Sequence, residues 1–493
     1  MQPSYPESDQ SGGTGRPAAD SKPALSKRLV MPSVSALNPE PARTPEPAPG
    51  LTTTSMRPSM PFAGTAPDRD PAPTPPPASA PDPALAAPPA LAPDRDPAPT
   101  PPPALAPEPR RVSTGGHSAG IKNVRGPKPP ARMPEPPRTP PVLVTQIRGR
   151  VVESRHRGCV VEVGIDGTVR RVIGDPDTMV NLRSAVKPFG LVALVEAGGV
   201  EAFDLTEAEL AIMAGSHSGE DLHVRTLQAV FRRAGVSQQF LGCGSEGAPL
   251  DDLTAARLSR DGEKPGPVRH MCSGQHASML LLCRINEWPF EEYWLPDHPV
   301  QRLYAATVAR AFSTSADLLV ISTDACGVPA YAFPLREVAR AFAMLADPTA
   351  IPEEDSRSGL ADALCRIRDV MIANPEFVAG SRNRLDTSVM KAVPGRIVAK
   401  GGAEGLRGFA VLDGGTRAES ASGIAIKIED GGGFDRAISA ASVEALRQAG
   451  VLDPAALRAL ARYHRPVALD PRGEPVGEAV SDFQLAPVGE LLG

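Results

Sequence analysis

Proline is spread so unevenly along this chain that it divides the molecule before any other feature is considered. Of 57 prolines, 38 fall within residues 1–141. The pyrrolidine ring removes a backbone donor and fixes φ, so neither a helix nor an interior strand tolerates that density. The same stretch carries an identical repeat, APDRDPAPTPPPA, at 66–78 and again at 92–104. Its apolar residues are mostly single Ala, Leu and Val, with almost no aromatics. Such a segment cannot bury enough surface to offset its ordering entropy. Residues 1–141 are therefore expected to be disordered, with polyproline II character. Folding then falls to residues 142–493, a stretch of 352 residues, enough for one large domain or two closely joined ones.

Charge excludes several classes of partner. The net charge is −5, from 52 basic and 57 acidic residues, and no run of Lys or Arg stands out. Neither nucleic acid nor a membrane surface is expected as a partner. The opening MQPSYPESDQ lacks the apolar stretch of a secretory signal. No apolar run approaches the ~20 residues that span a bilayer. Six cysteines, at 159, 243, 272, 283, 326 and 365, do not resemble a disulfide framework in a chain this long. A cytoplasmic location is expected.

Periodicity outlines the domain. Val142–Val152 is rich in β-branched residues, and Cys159–Val163 and Thr168–Ile173 flank the hairpin signal Asp166-Gly167. Thr206 followed by Glu209 is a capping box that opens a helix over Thr206–Met213. His223–Ala234, Val300–Phe312 and Leu335–Leu345 have helical apolar spacing. Leu318–Ser322 reads as a short buried strand ahead of the Thr323–Pro329 loop. Arg396–Lys400, Leu406–Leu412 and Gly423–Ile428 read as strands, and Phe434–Ala449 as an amphipathic helix stopped by Gly450. Strands at both ends with helices between predict an α+β domain, its sheet drawn from both ends.

Four constellations carry chemistry. In Ser184-Ala-Val-Lys187 the two side chains share one helix face, where a lysine of lowered pKa can take the serine proton. Pro188 fits a helix whose first turn starts near Ser184, which puts the serine at the positive end of the helix dipole. The motif alone is common by chance. Ser216-His217-Ser218-Gly219-Glu220 follows the capped helix and offers hydroxyls on a small loop, though Ser and Gly also favour ordinary turns. Lys400-Gly401-Gly402 ends a strand, where glycines let a ligand approach the backbone. In that order the three mimic the S-x-x-K, S-x-N and K-T-G elements of penicillin-recognising enzymes. The fourth joins His270-Met-Cys272-Ser-Gly-Gln275-His276 to Thr323-Asp324-Ala-Cys326. Two thiolates from separate loops suit zinc, although buried free cysteines are common in cores.

These stretches resemble the rhizobial-type, thermolabile L-asparaginase II family. The resemblance runs from about residue 145 to 450 and includes Asp297-His298-Pro299-Val300-Gln301, Phe377-Val378-Ala379-Gly380, Asp386-Thr387 and Lys400-Gly-Gly-Ala-Glu404-Gly405. It implies a serine β-lactamase/penicillin-binding-protein-like sheet with helices, action on L-asparagine, a homodimer, and zinc beside the catalytic serines. It puts the catalytic pairs on Ser184/Lys187 and Ser216/Lys400, and lining positions on Arg183 and Asp324. Glu220 and His276 join these as candidate substrate contacts. The family's zinc is held by two cysteines, which fall on Cys272 and Cys326, and by a lysine, where this chain has Gln275. An amide oxygen is a poor partner for zinc beside two thiolates. Zinc is thus expected to be weakly held or absent unless His276 or water completes the site. Two further departures are Ser381-Arg382-Asn383-Arg384, one residue longer than the family's T-G-R stretch, and Gly244-Ser245-Glu246, where relatives show G-x-H.

The expected function is hydrolysis of the asparagine side-chain amide to L-aspartate and ammonia through a serine acyl-enzyme. Ser184 is favoured as the nucleophile. The alternatives are a glutaminase or other amidase on the same fold, or a weakened descendant that acts as a binding protein through its arm.

Overall fold

A computed structural model of the protein describes residues 139–413, 420–431 and 436–488. The expectation for the proline-rich arm lies outside them, as does Phe434.

Twelve strands are described: β1 (Val142–Arg148), β2 (Val151–Gly164), β3 (Val169–Ile173), β4 (Met179–Asn181), β5 (Val320–Thr323), β6 (Pro329–Pro334), β7 (Ile397–Gly401), β8 (Leu406–Val411), β9 (Ser422–Ile428), β10 (Val467–Leu469), β11 (Pro475–Ser481) and β12 (Ala486–Pro487). The helices of eight residues or more are α1 (Lys187–Glu196), α2 (Glu207–Ala214), α3 (Asp221–Ala234), α4 (Asp252–Asp261), α5 (Ser273–Ile285), α6 (Pro299–Ala311), α7 (Leu335–Ala346), α8 (Ala361–Ala373), α9 (Leu385–Ala392) and α10 (Arg436–Gln448).

Strands from both ends of the domain enter one antiparallel sheet in the order β10-β11-β1-β2-β9-β8-β7, with β3 and β12 paired beside β2. Register is set by runs such as Val160↔Ile426 between β2 and β9, and Lys400↔Gly408 between β7 and β8. Six of the seven β9 residues are buried, so both faces of that strand are covered. Helix α7 lies on β9, β8 and β2, while α10 packs against β1, β9 and β11. Close approach of α7 depends on two glycines. A Cβ on Gly423 would lie 1.9 Å from Ala339 O, and one on Gly408 would lie 2.1 Å from the Phe342 ring. This is the α+β layout expected from the sequence, with one sheet drawn from both ends of the domain.

Helix α1 is the hub of the helical part and touches α5, α6 and α8. Every residue from Lys187 to Leu194 is buried. A helix apolar all round belongs inside a domain, and its first residue, Lys187, is carried inside with it. The Thr206 capping box forms as read, with Glu209 N–H donating to Thr206 Oγ1 and Thr206 N–H to Glu209.

The β-branched run Val142–Val152 spans two strands, with a turn at Gly149-Arg150 before β2 runs for 14 residues. One strand assignment needs correction. Leu318–Ser322 is not buried: β5 begins at Val320 and all four of its residues are exposed, with Leu318 at 70%. The apolar run suggested a core strand, but β5 is the edge of a separate sheet, β4-β6-β5, and pairs only with β6. Among the described residues no helix is long and apolar enough to cross a membrane.

Candidate active site

The approach to α1 is constrained. Arg183 sits at φ 45° and opens a short 3-10 turn, Arg183–Val186, that leads into the helix. A non-glycine residue with positive φ carries strain that its surroundings must hold. Here Asn181 Oδ1 accepts from Arg183 N–H at 3.1 Å, and Arg183 Nε donates to Asp324 Oδ2 at 2.7 Å. Ser184 follows, half-buried, and its carbonyl accepts the Lys187 N–H. Its hydroxyl makes no hydrogen bond among the described residues.

Lys187 does not turn to Ser184 in this state. Its Nζ donates to Ser216 Oγ and to Gly215 O, each at 3.0 Å. Lys400 Nζ donates to the same Ser216 Oγ at 3.0 Å and to Gly401 O at 2.7 Å. Ser216 is placed by the C-terminal end of α2 and fixed through its N–H to Val378 O at 2.7 Å. Lys187 is 1% exposed and Lys400 0%. Two ammonium groups converging on one oxygen repel, and burial penalises both. Burial, then the charge of Lys187, pushes the Lys400 amine well below the usual lysine range. A lowered pKa makes the neutral, lone-pair-bearing form of this amine easier to reach.

The Ser216 loop is braced by imidazoles to which sequence reasoning gave no role. His217 Nδ1 accepts from Gly219 N–H at 3.1 Å, so its proton is on Nε2, 2.8 Å from Ser273 Oγ. Burial, then His223 and Lys187, holds the ring neutral well below the usual histidine range. It stacks on His223 with centroids 4.9 Å apart. Glu220 is 3% exposed. Its carboxylate accepts from Ser381 N–H at 2.7 Å and from Ser381 Oγ, and pairs with Arg382 at 3.2 Å. It is thus bound to the 380–384 loop, not turned to open space.

That loop also reaches the hub. Arg384 Nη2 donates to Ser216 O at 3.2 Å and Nη1 to Ser218 Oγ at 3.1 Å. Asp386 Oδ2 accepts from Gly401 N–H at 2.9 Å. The sequence reading passed over these contacts. The only signal was the closeness of Arg384 and Asp386-Thr387 to a departure from the family pattern.

Cys272 and Cys326 are both 3% exposed and close enough for each thiol to perturb the other. Asp324 shares the Cys326 loop, so the thiol pair adjoins the Arg183 anchor. Gln275 donates through Nε2 to Tyr304 OH at 3.3 Å, and is buried. His276 is fully buried; Nδ1 meets Tyr293 OH, and Nε2 has no partner. Among the described residues no three His, Cys, Asp or Glu side chains gather to hold a metal. The two cysteines fit a soft metal, but the third donor of the family's zinc set is missing, so the residues present do not make up that site.

Residues 144–481 match the family model described as L-asparaginase II. No curated protein matches. A Bacillus glutaminase solved in 4.3 M NaCl is similar at 13% identity and TM-score 0.31, over 60% of this chain and 91% of that one. A probable glutaminase from Bacillus subtilis complexed with 6-diazo-5-oxo-L-norleucine is similar at 13% identity and TM-score 0.26, over 55% and 76%.

Proposed function

Because the chain belongs to the L-asparaginase II family, we propose that it hydrolyses the side-chain amide of L-asparagine to L-aspartate and ammonia. The observation that carries the reading is the bridge of two buried lysines on Ser216 Oγ, with Ser184 three residues before Lys187 in the turn that leads into α1.

Ser184 is the nucleophile. Lys187 passes a proton through Ser216 Oγ to neutral Lys400 and takes up the proton of Ser184 Oγ as that oxygen attacks the amide carbon. Backbone N–H groups hold the oxyanion; Ser184's own amide, in the first turn of a helical segment, is of the kind that lacks an intrahelical acceptor. When the C–N bond breaks, Ser216 donates a proton to the leaving nitrogen and is resupplied by Lys400, and ammonia departs. Water then cleaves the β-aspartyl ester by the same relay run in reverse. Arg183 and Asp324, one residue before the nucleophile and across from it, line the approach. Zinc has no step in this scheme.

Glutamine differs from asparagine by one methylene, which a pocket separates by only ~1–3 kcal/mol. The test is ammonia release by the purified protein with asparagine, glutamine or neither. Release from asparagine that is abolished in Ser184→Ala supports the reading. Faster release from glutamine moves it to a glutaminase, and no release from either overturns it.

A further inference from the structure

Two residues unused by that mechanism flank Leu385 at the head of α9. Arg384 grips the main chain of Ser216 through the 3.2 Å bond to its carbonyl, and Ser218 through the 3.1 Å bond to its hydroxyl. Asp386 accepts from the amide of Gly401, the residue next to Lys400, at 2.9 Å, and its other oxygen pairs with Arg407 on β8. One end of one helix thus holds both backbones whose side chains meet in the relay.

We propose that Arg384 and Asp386 are positioning residues that hold Ser216 and Lys400 within hydrogen-bonding distance. The proposal rests on the relay described above. Ser216 lies behind α2 and Lys400 at the end of β7, and 184 residues separate them. A single side-chain bond, worth about 1 kcal/mol net, does not fix two main-chain segments against each other. Two grips on the main chain, from residues at the start of α9, do.

The loop feeding Arg384 is itself anchored. Arg382 donates to Asp251 at 2.9 and 2.6 Å, and Ser381 is bound by Glu220. Gly380 passes so close to Ser218 that a Cβ there would lie 2.2 Å from Ser218 Oγ. Asp386 is 4% exposed; burial favours its acid form, but the Arg407 guanidinium and the Gly401 amide oppose this and hold its pKa below the usual carboxylate value. A helix-capping role does not account for the pair, because α9 has no side-chain cap bond.

The test compares full-length wild type, Arg384→Gln, Arg384→Lys and Asp386→Asn by crystallography and by steady-state kinetics on asparagine. In Arg384→Gln and Asp386→Asn the Ser216 Oγ to Lys400 Nζ separation is expected to open beyond about 3.5 Å, the limit of a hydrogen bond. The kcat is expected to fall about tenfold or more, with KM within about twofold. Lysine at 384 keeps the charge but cannot fork to two acceptors, so kcat falls there too; this variant serves if the glutamine variant does not fold. An unchanged separation in the folded variants overturns the proposal, as does a kcat loss that only tracks the folded fraction. If wild type releases no ammonia the relay reading fails, and the crystallographic separation alone decides the bracket.

Discussion

Ser216 Oγ and Lys400 Nζ meet at 3.0 Å across 184 residues of sequence, and Lys187 Nζ reaches the same oxygen at the same distance. Three of the four residues in the serine–lysine pairs expected from the sequence, Lys187, Ser216 and Lys400, are therefore one connected unit with Ser216 at its centre. Ser184 stands outside that hydrogen-bonded chain.

Connection predicts non-additivity. Lys187→Met, Ser216→Ala and Lys400→Met should each lower ammonia release at least about a hundredfold. The Lys187→Met/Ser216→Ala double variant should be little worse than either single one. Losses that multiply would show that the groups act in separate steps. Ser184→Ala should be the most severe; if it keeps more than about a tenth of wild-type activity, a loss under ~1.4 kcal/mol, Ser216 becomes the nucleophile.

Lys400 sets the acid limb of the pH profile. Its folded-state pKa lies well below the ordinary value, chiefly through burial. The neutral, accepting form is present above that folded pKa and is lost as pH falls through it, so kcat should fall on the acid side. The unfolded chain, titrating near ~10.4, binds a proton in the intervening window that the folded protein does not. Stability should therefore rise with pH across that window. Urea melts of Lys400→Met should lack this part of the slope, up to ~1.4 kcal/mol per pH unit. Equal slopes in the two proteins would place the buried amine in its charged form.

Gly380 adopts φ 143°, a conformation that side chains rarely reach, and it abuts Ser218. Gly380→Ala should cost about 1–3 kcal/mol in denaturant unfolding and lower kcat, because the methyl displaces the Ser216–Glu220 loop. Wild-type stability in this variant would mean that the loop yields freely.

The thiol pair offers zinc two ligands, while the third family position holds an amide turned to Tyr304. Gln275→Lys should raise the zinc content of purified protein, read by elemental analysis. Tight one-to-one zinc in the unchanged protein would show that another group, such as His276 Nε2, completes the set.

Every residue assigned to the site lies between Arg183 and Arg407. Deleting residues 1–138 should leave melting temperature and specific activity nearly unchanged, and a fall of several degrees would show the arm packed on the domain.

Local features were legible in the sequence, and distant ones were not. The Thr206–Glu209 capping box is a four-residue event and forms as read. Strands β7 to β9 and helix α7 follow from periodicity. Burial of β5 was misread because an apolar run looks alike in a core and on an edge, and only the neighbouring strand decides. Lys187 was matched to Ser184 because i and i+3 are the neighbours that a helix provides. Its bond to Ser216 depends on how α1 packs behind α2, which no local spacing encodes. Asp386 belongs to a stretch that carries the family resemblance and Arg384 to one that departs from it, but nothing local points to their partners, 15 and 168 residues away.

The sheet closes by pairing β1 with β11 and β2 with β9, so the outermost segments of the domain must find each other for it to be complete. The lysine that completes the Ser216 bridge is on β7, which joins that same sheet through β8 and β9. Without β7 in place, α1, α2 and the Ser216 loop supply only half of that bridge. The bridge would then report the docking of β7 beside the Ser216 loop, whether or not β1 and β11 have paired.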